Sequence, residues 1–237
     1  MKILSIDTSS KVCSVSVLED TDVIVEKNIE DEKTHSQKLM PLLDNVLNSC
    51  NMVLTDFNLL ACCVGPGSFT GVRIGVSTVK AFNDVTNIPI SSVSSLESLA
   101  YNTLDSNFRD KAKYVCSIID AKNDNVYYGL FERNNEEFTI VEEQNAKNIY
   151  DMISDLKKYH SAPILFVGDG AEKHQYTILQ HFSKSTFVED KFNVQNSAST
   201  GKAAFYHFEH GDFGDSNYII PLYLRKSQAE RALDGEK

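Results

Sequence analysis

Residues 65–75, Gly-Pro-Gly-Ser-Phe-Thr-Gly-Val-Arg-Ile-Gly (GPGSFTGVRIG), contain four of the eleven glycines in a chain of 237 residues. The preceding residues 59–64 (LLACCV) are apolar and predict a buried strand, and residues 69–85 predict a helix. Gly65 and Gly67 permit a tight turn, and Ser68 can cap the helix that begins at Phe69. The stretch therefore predicts a strand, a turn and a helix, the building unit of an α/β protein.

Three glycine-rich motifs of known chemistry do not match this stretch. A P-loop needs the spacing G-x-x-x-x-G-K-[ST], which neither Gly65 nor Gly67 begins. A dinucleotide fingerprint needs a glycine where Thr70 stands, and a G-x-S-x-G nucleophile turn needs glycines at Pro66 and Thr70. The residues therefore predict no cofactor at this turn.

Gly71 and Gly75 need a separate reason, because a glycine inside a helix costs about 1 kcal/mol relative to alanine. They are four residues apart and so lie on one face of the helix. A face without side chains lets another backbone approach closely. Geometry alone favours packing within the chain over a partner surface.

The same order of predicted elements, βββαβαβα, occurs twice. The first set comprises strands 2–8, 12–20 and 22–30, helix 33–50, strand 59–64, helix 69–85, strand 89–93 and a helix near 95–104. The second comprises strands 113–120, 125–133 and 137–143, helix 145–159, strand 163–168, a helix near 171–182, strand 185–189 and helix 197–209. This repetition predicts a duplicated α/β unit. The boundary falls near 104–112, giving subdomains 1–106 and 107–237, with residues 221–225 packing back across it.

Equivalent strands of the two halves end in similar residues. Asp7 and Asp120 each follow an isoleucine at the end of the first strand. The fourth strands lead into glycine turns, at Gly65 and Gly67 in one half and at Gly168 and Gly170 in the other. Ligands of α/β sheets usually bind at such strand ends. The two carboxylates could therefore serve metal-assisted phosphoryl transfer, but with no phosphate loop between them we favour the alternative, in which each caps its own turn.

Composition restricts the partners and the location. The formal charge of −10 disfavours direct nucleic-acid binding, and no segment approaches the ~20 apolar residues that span a bilayer. The N-terminus lacks the apolar region of a signal peptide, so we expect a cytoplasmic protein without membrane contact. The odd number of cysteines, five, without a C-x-x-C pair argues against disulfides and zinc. His207 and His210 could share a metal but lack an evident third ligand, and a solvated face is the simpler interpretation.

In this order, the motifs resemble the TsaB (YeaZ) family, a component of the bacterial machinery that makes threonylcarbamoyladenosine on tRNA. The resemblance runs nearly end to end, through ILSIDTSSKVCSVSVL, HSQKLMPLLDNVL, GPGSFTGVRIGVSTVKAF, IPISSVSSLESLA, IIDAKNDNVYYGLF, VGDGA and PLYLR. It implies an α/β, actin-like and Hsp70-like ATPase fold (ASKHA, RNase H-like) of two βββαβαβα subdomains. Departures are small: Lys122 replaces a frequent arginine, and residues 79–83 are less rich in alanine.

The resemblance also implies a function without catalysis. The related catalytic subunit TsaD carries an H-x-x-x-H metal motif whose positions fall here on Ser95 and Leu99, which cannot replace imidazole ligands. The family implies a scaffold that binds TsaD, helps recruit the ATPase TsaE and meets tRNA only through the complex. One alternative is a glycoprotease-like or ATP-hydrolysing enzyme of the same fold, and another is a homodimer that uses the same helices when TsaD is absent.

By resemblance, the partner binds the helices at about 35–50 and 69–85, and Gly75→Leu is expected to weaken the complex. Periodicity does not decide which side chains of these helices face the core. The expected partner-binding residues are His35, Leu39, Leu42, Leu43, Val46, Phe69, Gly71, Val72, Arg73, Gly75, Val76, Thr78 and Val79.

Overall fold

The computed structural model describes residues 1–30, 35–104, 108 and 112–226. Within these residues, strands form two five-stranded sheets with the orders β3-β2-β1-β4-β5 and β10-β9-β6-β7-β8. The first sheet contains β1 (Lys2–Asp7), β2 (Val12–Glu19), β3 (Asp22–Glu30), β4 (Leu59–Cys63) and β5 (Ile90–Val93). The second contains β6 (Tyr114–Asp120), β7 (Asn125–Asn134), β8 (Glu137–Asn148), β9 (Ile164–Val167) and β10 (Thr186–Phe187).

The two sheets have the same topology. In each, the first three strands pair antiparallel, and the fourth and fifth join parallel beside the first. The described helices are α1 (His35–Cys50), α2 (Phe69–Thr86), α3 (Ser95–Tyr101), α4 (Ile149–Leu156), α5 (Asp169–Lys173), α6 (Gln175–Leu179) and α7 (Ser197–Glu209). The predicted duplication of an α/β unit is therefore confirmed.

Three predicted helices have different bounds. The helix predicted from residue 145 begins at Ile149, because β8 stays paired with β7 up to Asn148. The side chain of Asn148 then caps α4 by accepting from the backbone N–H of Tyr150. The helix predicted near 171–182 is two short helices, α5 and α6, which meet at His174. The helix predicted near 95–104 ends at Tyr101, and the start predicted at residue 33 lies outside the described residues.

One helix from each half packs on the sheet of the other half. Helix α7 lies against β1, β2, β4 and β5, and α3 lies against β6, β7 and β8. The close approach of α7 depends on Gly201, where a Cβ atom would stand 2.4 Å from the Leu18 side chain. The predicted boundary at 104–112 falls mostly outside the described residues, so the division into 1–106 and 107–237 stays a prediction.

Residues 212–226, here called the C-terminal strap, run back from α7 over the first half. A β-bridge joins Gly214 to Ile90, and the backbone N–H of Leu222 donates to the carbonyl of Val64 at 2.8 Å. The Arg225 guanidinium then donates to the carbonyl of Ala121 in the second half at 3.0 Å. The strap thus contacts both halves. None of the helices described here is long and apolar enough to cross a membrane.

Candidate partner-binding surface and the strand ends

The apolar stripe of α1 belongs to the interior of this chain. It packs against β2 and β3, and the imidazole of His35 lies 2.8 Å from the Ser10 carbonyl through Nε2. The buried residues of α1 are His35, Leu39, Leu42, Leu43 and Val46. Their side chains hold the helix on the sheet, so these five predicted residues are not exposed on the outer side of α1.

The glycine face of α2 also packs inside the chain. A Cβ atom on Gly71 would stand 2.0 Å from the carbonyl oxygen of Thr8, and one on Gly75 would stand 2.5 Å from the Thr8 hydroxyl. That hydroxyl donates to the carbonyl of Gly71 at 2.7 Å. Packing within the chain, which geometry favoured, is thus confirmed for both glycines, and Gly75→Leu would disturb the fold itself.

The remaining predicted residues of α2 divide between the core and the surface. Val72, Val76 and Val79 are buried, whereas Phe69 and Thr78 are half-buried and Arg73 is exposed. Of the exposed positions of both helices, sequence reasoning predicted Arg73 and missed the others, although these positions are the complement of the apolar stripes. We call the following exposed residues the α1–α2 outer face: Gln37, Met40, Pro41, Asp44, Thr70, Arg73, Ser77 and Ala81.

The turn before α2 closes against the turn after β1. Ser68 accepts from the backbone N–H of Gly71 at 3.2 Å, which confirms the predicted cap. The backbone N–H of Ser68 donates to the Ser9 carbonyl at 2.7 Å, and a Cβ atom on Gly67 would stand 2.2 Å from that same oxygen. Gly65 has a φ of 96°, which a glycine adopts without strain. The two turns therefore touch each other.

Asp7 is enclosed at this point. Its Oδ1 accepts from the backbone N–H of Ser9 at 2.8 Å and from the Ser9 hydroxyl at 2.7 Å, and Thr200 of α7 donates to Oδ2 at 3.4 Å. Burial raises the pKa of Asp7, although these hydrogen bonds act in the opposite direction. The predicted role of Asp7 as the cap of its own turn is confirmed.

Asp120 has the equivalent position but a different environment. It accepts from the backbone N–H of Lys122 at 3.0 Å and from the Lys173 ammonium at 2.9 Å. Burial alone would raise the pKa of Asp120, but Lys173 and Lys122 outweigh it and hold the pKa below its usual range. Asp120 thus caps its own turn as well. Gly168 has a φ of 107°, and a Cβ atom there would meet the Ile118 carbonyl at 2.2 Å.

A charged cluster that the sequence did not predict joins the two crossing helices. The His207 Nε2 atom of α7 lies 2.8 Å from Glu97 Oε1 of α3, and its Nδ1 atom lies 3.7 Å from Asp212 Oδ2. Burial opposes the charge of His207, but Glu97 and Asp212 outweigh it and raise its pKa. His210 lies 3.6 Å from Glu137, so the histidine pair is engaged with carboxylates. Among the described residues, no group of three His, Cys, Asp or Glu side chains could hold a metal.

Comparison with known proteins now identifies the family. A family model described as TsaD, tRNA N6-adenosine threonylcarbamoyltransferase, matches residues 25–233. The tRNA threonylcarbamoyladenosine biosynthesis protein TsaB of Bacillus subtilis is 34% identical, over 97% of this chain and 96% of that protein. The chain belongs to the TsaB family.

Solved structures agree with this assignment at the level of the fold. YeaZ from Pseudomonas aeruginosa superposes with a TM-score of 0.76 at 23% identity, over 94% of this chain and 99% of that one. A ROK hexokinase from Thermus thermophilus superposes with a TM-score of 0.56 at 8% identity, over 89% of this chain and all of that one. The actin-like ATPase fold predicted from the sequence is confirmed.

In this TsaB-family chain, Ser95 and Leu99 lie at the start and the middle of α3. The Ser95 hydroxyl is 3.1 Å from the Cys63 thiol, and burial raises the pKa of that thiol well above its usual value. Leu99 is fully buried in the core between the two halves. Neither side chain can ligate a metal in the way an imidazole does, so the histidine-based metal site of TsaD does not fit these residues.

Proposed function

We propose that this chain is a non-catalytic subunit of the machinery that makes threonylcarbamoyladenosine on tRNA. In this role it binds the catalytic subunit TsaD and helps recruit the ATPase TsaE. The observation that carries the proposal is the enclosure of Asp7: the strand-end carboxylate is buried and hydrogen-bonded to Ser9 and Thr200 of its own chain. A carboxylate used in this way is not available to a substrate or a bound cation.

The α1–α2 outer face is the proposed contact with TsaD. The buried stripes fix both helices to the first sheet, so the outer face is a preformed surface that needs little ordering on binding. The exposed side chains of α2 at Ser77 and Ala81 are small and four residues apart, which allows a partner helix to approach closely. The charge of −10 supports tRNA binding through the complex rather than by this chain alone.

Reconstitution tests the non-catalytic role. We expect the purified chain to make no threonylcarbamoyladenosine on tRNA by itself, and activity to require TsaD and TsaE together with this chain. Transferase activity of the isolated chain would refute the proposal. The enzyme alternative predicts heat of binding when the chain is titrated with ATP and magnesium, or cleavage of a glycoprotein substrate. Stoichiometric ATP binding or glycoprotein cleavage would favour the enzyme alternative over the proposal.

A substitution on the outer face tests the partner surface. Ser77→Trp adds a large side chain where α2 is exposed, so we expect the fold to persist and TsaD binding to fall at least about tenfold, a change of about 1.4 kcal/mol. Ser154→Trp, on the exposed side of α4, is the matched control and should bind TsaD normally. Equal binding by both variants in calorimetry would exclude this face.

The same face would also hold a homodimer when TsaD is absent. Light scattering of the chain alone should then show a dimer that Ser77→Trp weakens. Addition of TsaD should convert the homodimer into a heterodimer. A homodimer that persists within the complex would contradict a shared face.

A further inference from the structure

The C-terminal strap presents apolar side chains to solvent next to the α1–α2 outer face. Ile219 is fully buried, whereas its neighbour Ile220 is 68% exposed and Tyr223 is 42% exposed. Leu222 is half-buried, and its backbone N–H donates to the Val64 carbonyl. The strap is therefore anchored at Ile219 and Leu222, whereas Ile220 and Tyr223 are exposed.

The strap is fixed in position along its length. The backbone N–H of Ser216 donates to the Asn83 side chain at 2.8 Å, Ile219 lies in the first-half core, and Leu222 is bound to Val64. Arg225 fastens its far end to Ala121. A segment held at these points loses little conformational entropy when a partner covers it.

Tyr223 connects the strap to the first turn of α2. Its ring stacks on Phe69 with centroids 4.6 Å apart and planes 5° apart, and its hydroxyl accepts from the Arg73 guanidinium at 2.7 Å. Tyrosine and arginine, together with tryptophan, are the residue types enriched in binding hot spots. Phe69, Arg73 and Tyr223 thus form one surface unit that belongs partly to the outer face and partly to the strap.

We propose that this unit, extended by Ile220, is the energetic centre of the contact with the catalytic subunit TsaD. The inference rests on the proposed function and assigns the strap a role within it. The occupant follows from likeness of fold: the TsaD family model matches residues 25–233, a range that contains α2 and the strap to Arg225. We therefore expect TsaD to share these elements, and two related chains can place equivalent surfaces against each other around an approximate twofold axis.

Calorimetry of full-length variants with TsaD tests the inference. We expect Ile220→Glu and Tyr223→Ala each to weaken binding at least about tenfold, a change of about 1.4 kcal/mol, because truncation of a hot-spot residue is costly. The matched controls are Ile140→Glu on β8 and Tyr150→Ala on α4, which are 56% and 63% exposed in the second half. Both controls should bind TsaD as the native chain does, and thermal melting should show all four variants folded.

The outcomes separate this inference from the proposed function. If Ser77→Trp weakens TsaD binding while Ile220→Glu and Tyr223→Ala do not, the outer face stands and the strap proposal fails. If the native chain does not bind TsaD, the proposed function itself fails. Strap variants that change only the self-association of this chain would assign the strap to a homodimer and overturn the proposal. Should Tyr223→Ala melt early, Ile220→Glu alone decides, because Ile220 is mostly exposed.

Discussion

The turn after β1 and the turn after β6 occupy equivalent places in two sheets of identical topology, yet their carboxylates have opposite environments. Asp7 is buried and accepts from Thr200 of α7, which crosses from the other half, and α2 packs closely on the neighbouring Thr8. Asp120 has no crossing helix in contact with its carboxylate among the described hydrogen bonds and ion pairs, and it binds Lys173 and Lys122 instead. The two halves thus share the backbone arrangement at the strand end, whereas the side chains that pack around each aspartate shift its pKa in opposite directions.

The largest expected effect comes from adding a methyl group where a helix packs on the residues that end β1 or β6. In Gly71→Ala the new methyl group would meet the Thr8 carbonyl at 2.0 Å, and a backbone atom cannot move aside. In Gly170→Ala it would meet an Ile118 methyl group at 2.7 Å and the backbone of Ile119 at 2.9 Å. We expect losses of about 3 kcal/mol at Gly71 and about 1 kcal/mol at Gly170.

Urea unfolding of both variants measures these losses. Ser77→Ala, on the exposed side of α2, serves as the control and should leave stability unchanged within about 0.5 kcal/mol. A smaller loss for Gly71→Ala than for Gly170→Ala would reverse the comparison of the two turns.

The next largest effect concerns the charged cluster where the two halves cross. The pKa of His207 is raised by Glu97 and Asp212, so the stabilisation is complete below the unfolded pKa of about 6.5 and is lost as pH rises through the folded pKa. We expect Glu97→Gln to cost about 2 kcal/mol near pH 6, because it removes a charged hydrogen bond, and much less near pH 9.

Thermal melting across this pH range tests the cluster. Glu137→Gln provides a matched control, since Glu137 lies 3.6 Å from His210 in an exposed pair. The control should change stability by less than about 0.5 kcal/mol at every pH. A Glu97→Gln penalty that stays constant from pH 6 to pH 9 would mean that the charge of His207 does not contribute.

A third prediction compares the two aspartates directly. The pKa of Asp7 is raised by burial, so stability linked to Asp7 falls as pH rises from its unfolded pKa of about 3.9 towards the folded pKa. The pKa of Asp120 is lowered by its lysines, so stability linked to Asp120 is present above about pH 3.9 and is lost as pH falls through the folded pKa.

Carboxyl carbon NMR during a pH titration shows both directions, and Asp7→Asn and Asp120→Asn assign the two signals. We expect Asp120→Asn to cost about 1 kcal/mol at pH 7, and the cost to vanish in strong acid. Two aspartates that titrate together near 3.9 would show that the two environments are equivalent after all.

Local patterns were sufficient to predict the duplicated elements, the cap at Ser68 and the Asx turns at Asp7 and Asp120. Each depends on residues within a few positions of one another. The exchange of α3 and α7 between the sheets was not predictable in this way, because Gly201 meets Leu18 and His207 meets Glu97 across long stretches of chain. Apolar periodicity on α1 and α2 identified core residues such as Leu39 and Val76. A partner-binding surface produces no comparable periodicity in the sequence, so its residues could not be predicted in this way.

The smallest change in stability is expected for Lys122→Ala, because the turn after β6 depends little on the exposed charge of this lysine. The Lys122 side chain is 84% exposed and its ammonium lies 3.5 Å from Asp120, whereas the Lys173 side chain is 43% exposed and its ammonium lies at 2.9 Å. An exposed ion pair at the longer distance contributes little, so Lys122→Ala should change stability by less than about 0.5 kcal/mol in urea unfolding. Its backbone N–H still caps Asp120 in the variant. A loss equal to that of Lys173→Ala would mean that the charge of Lys122, rather than its backbone, holds the turn in place.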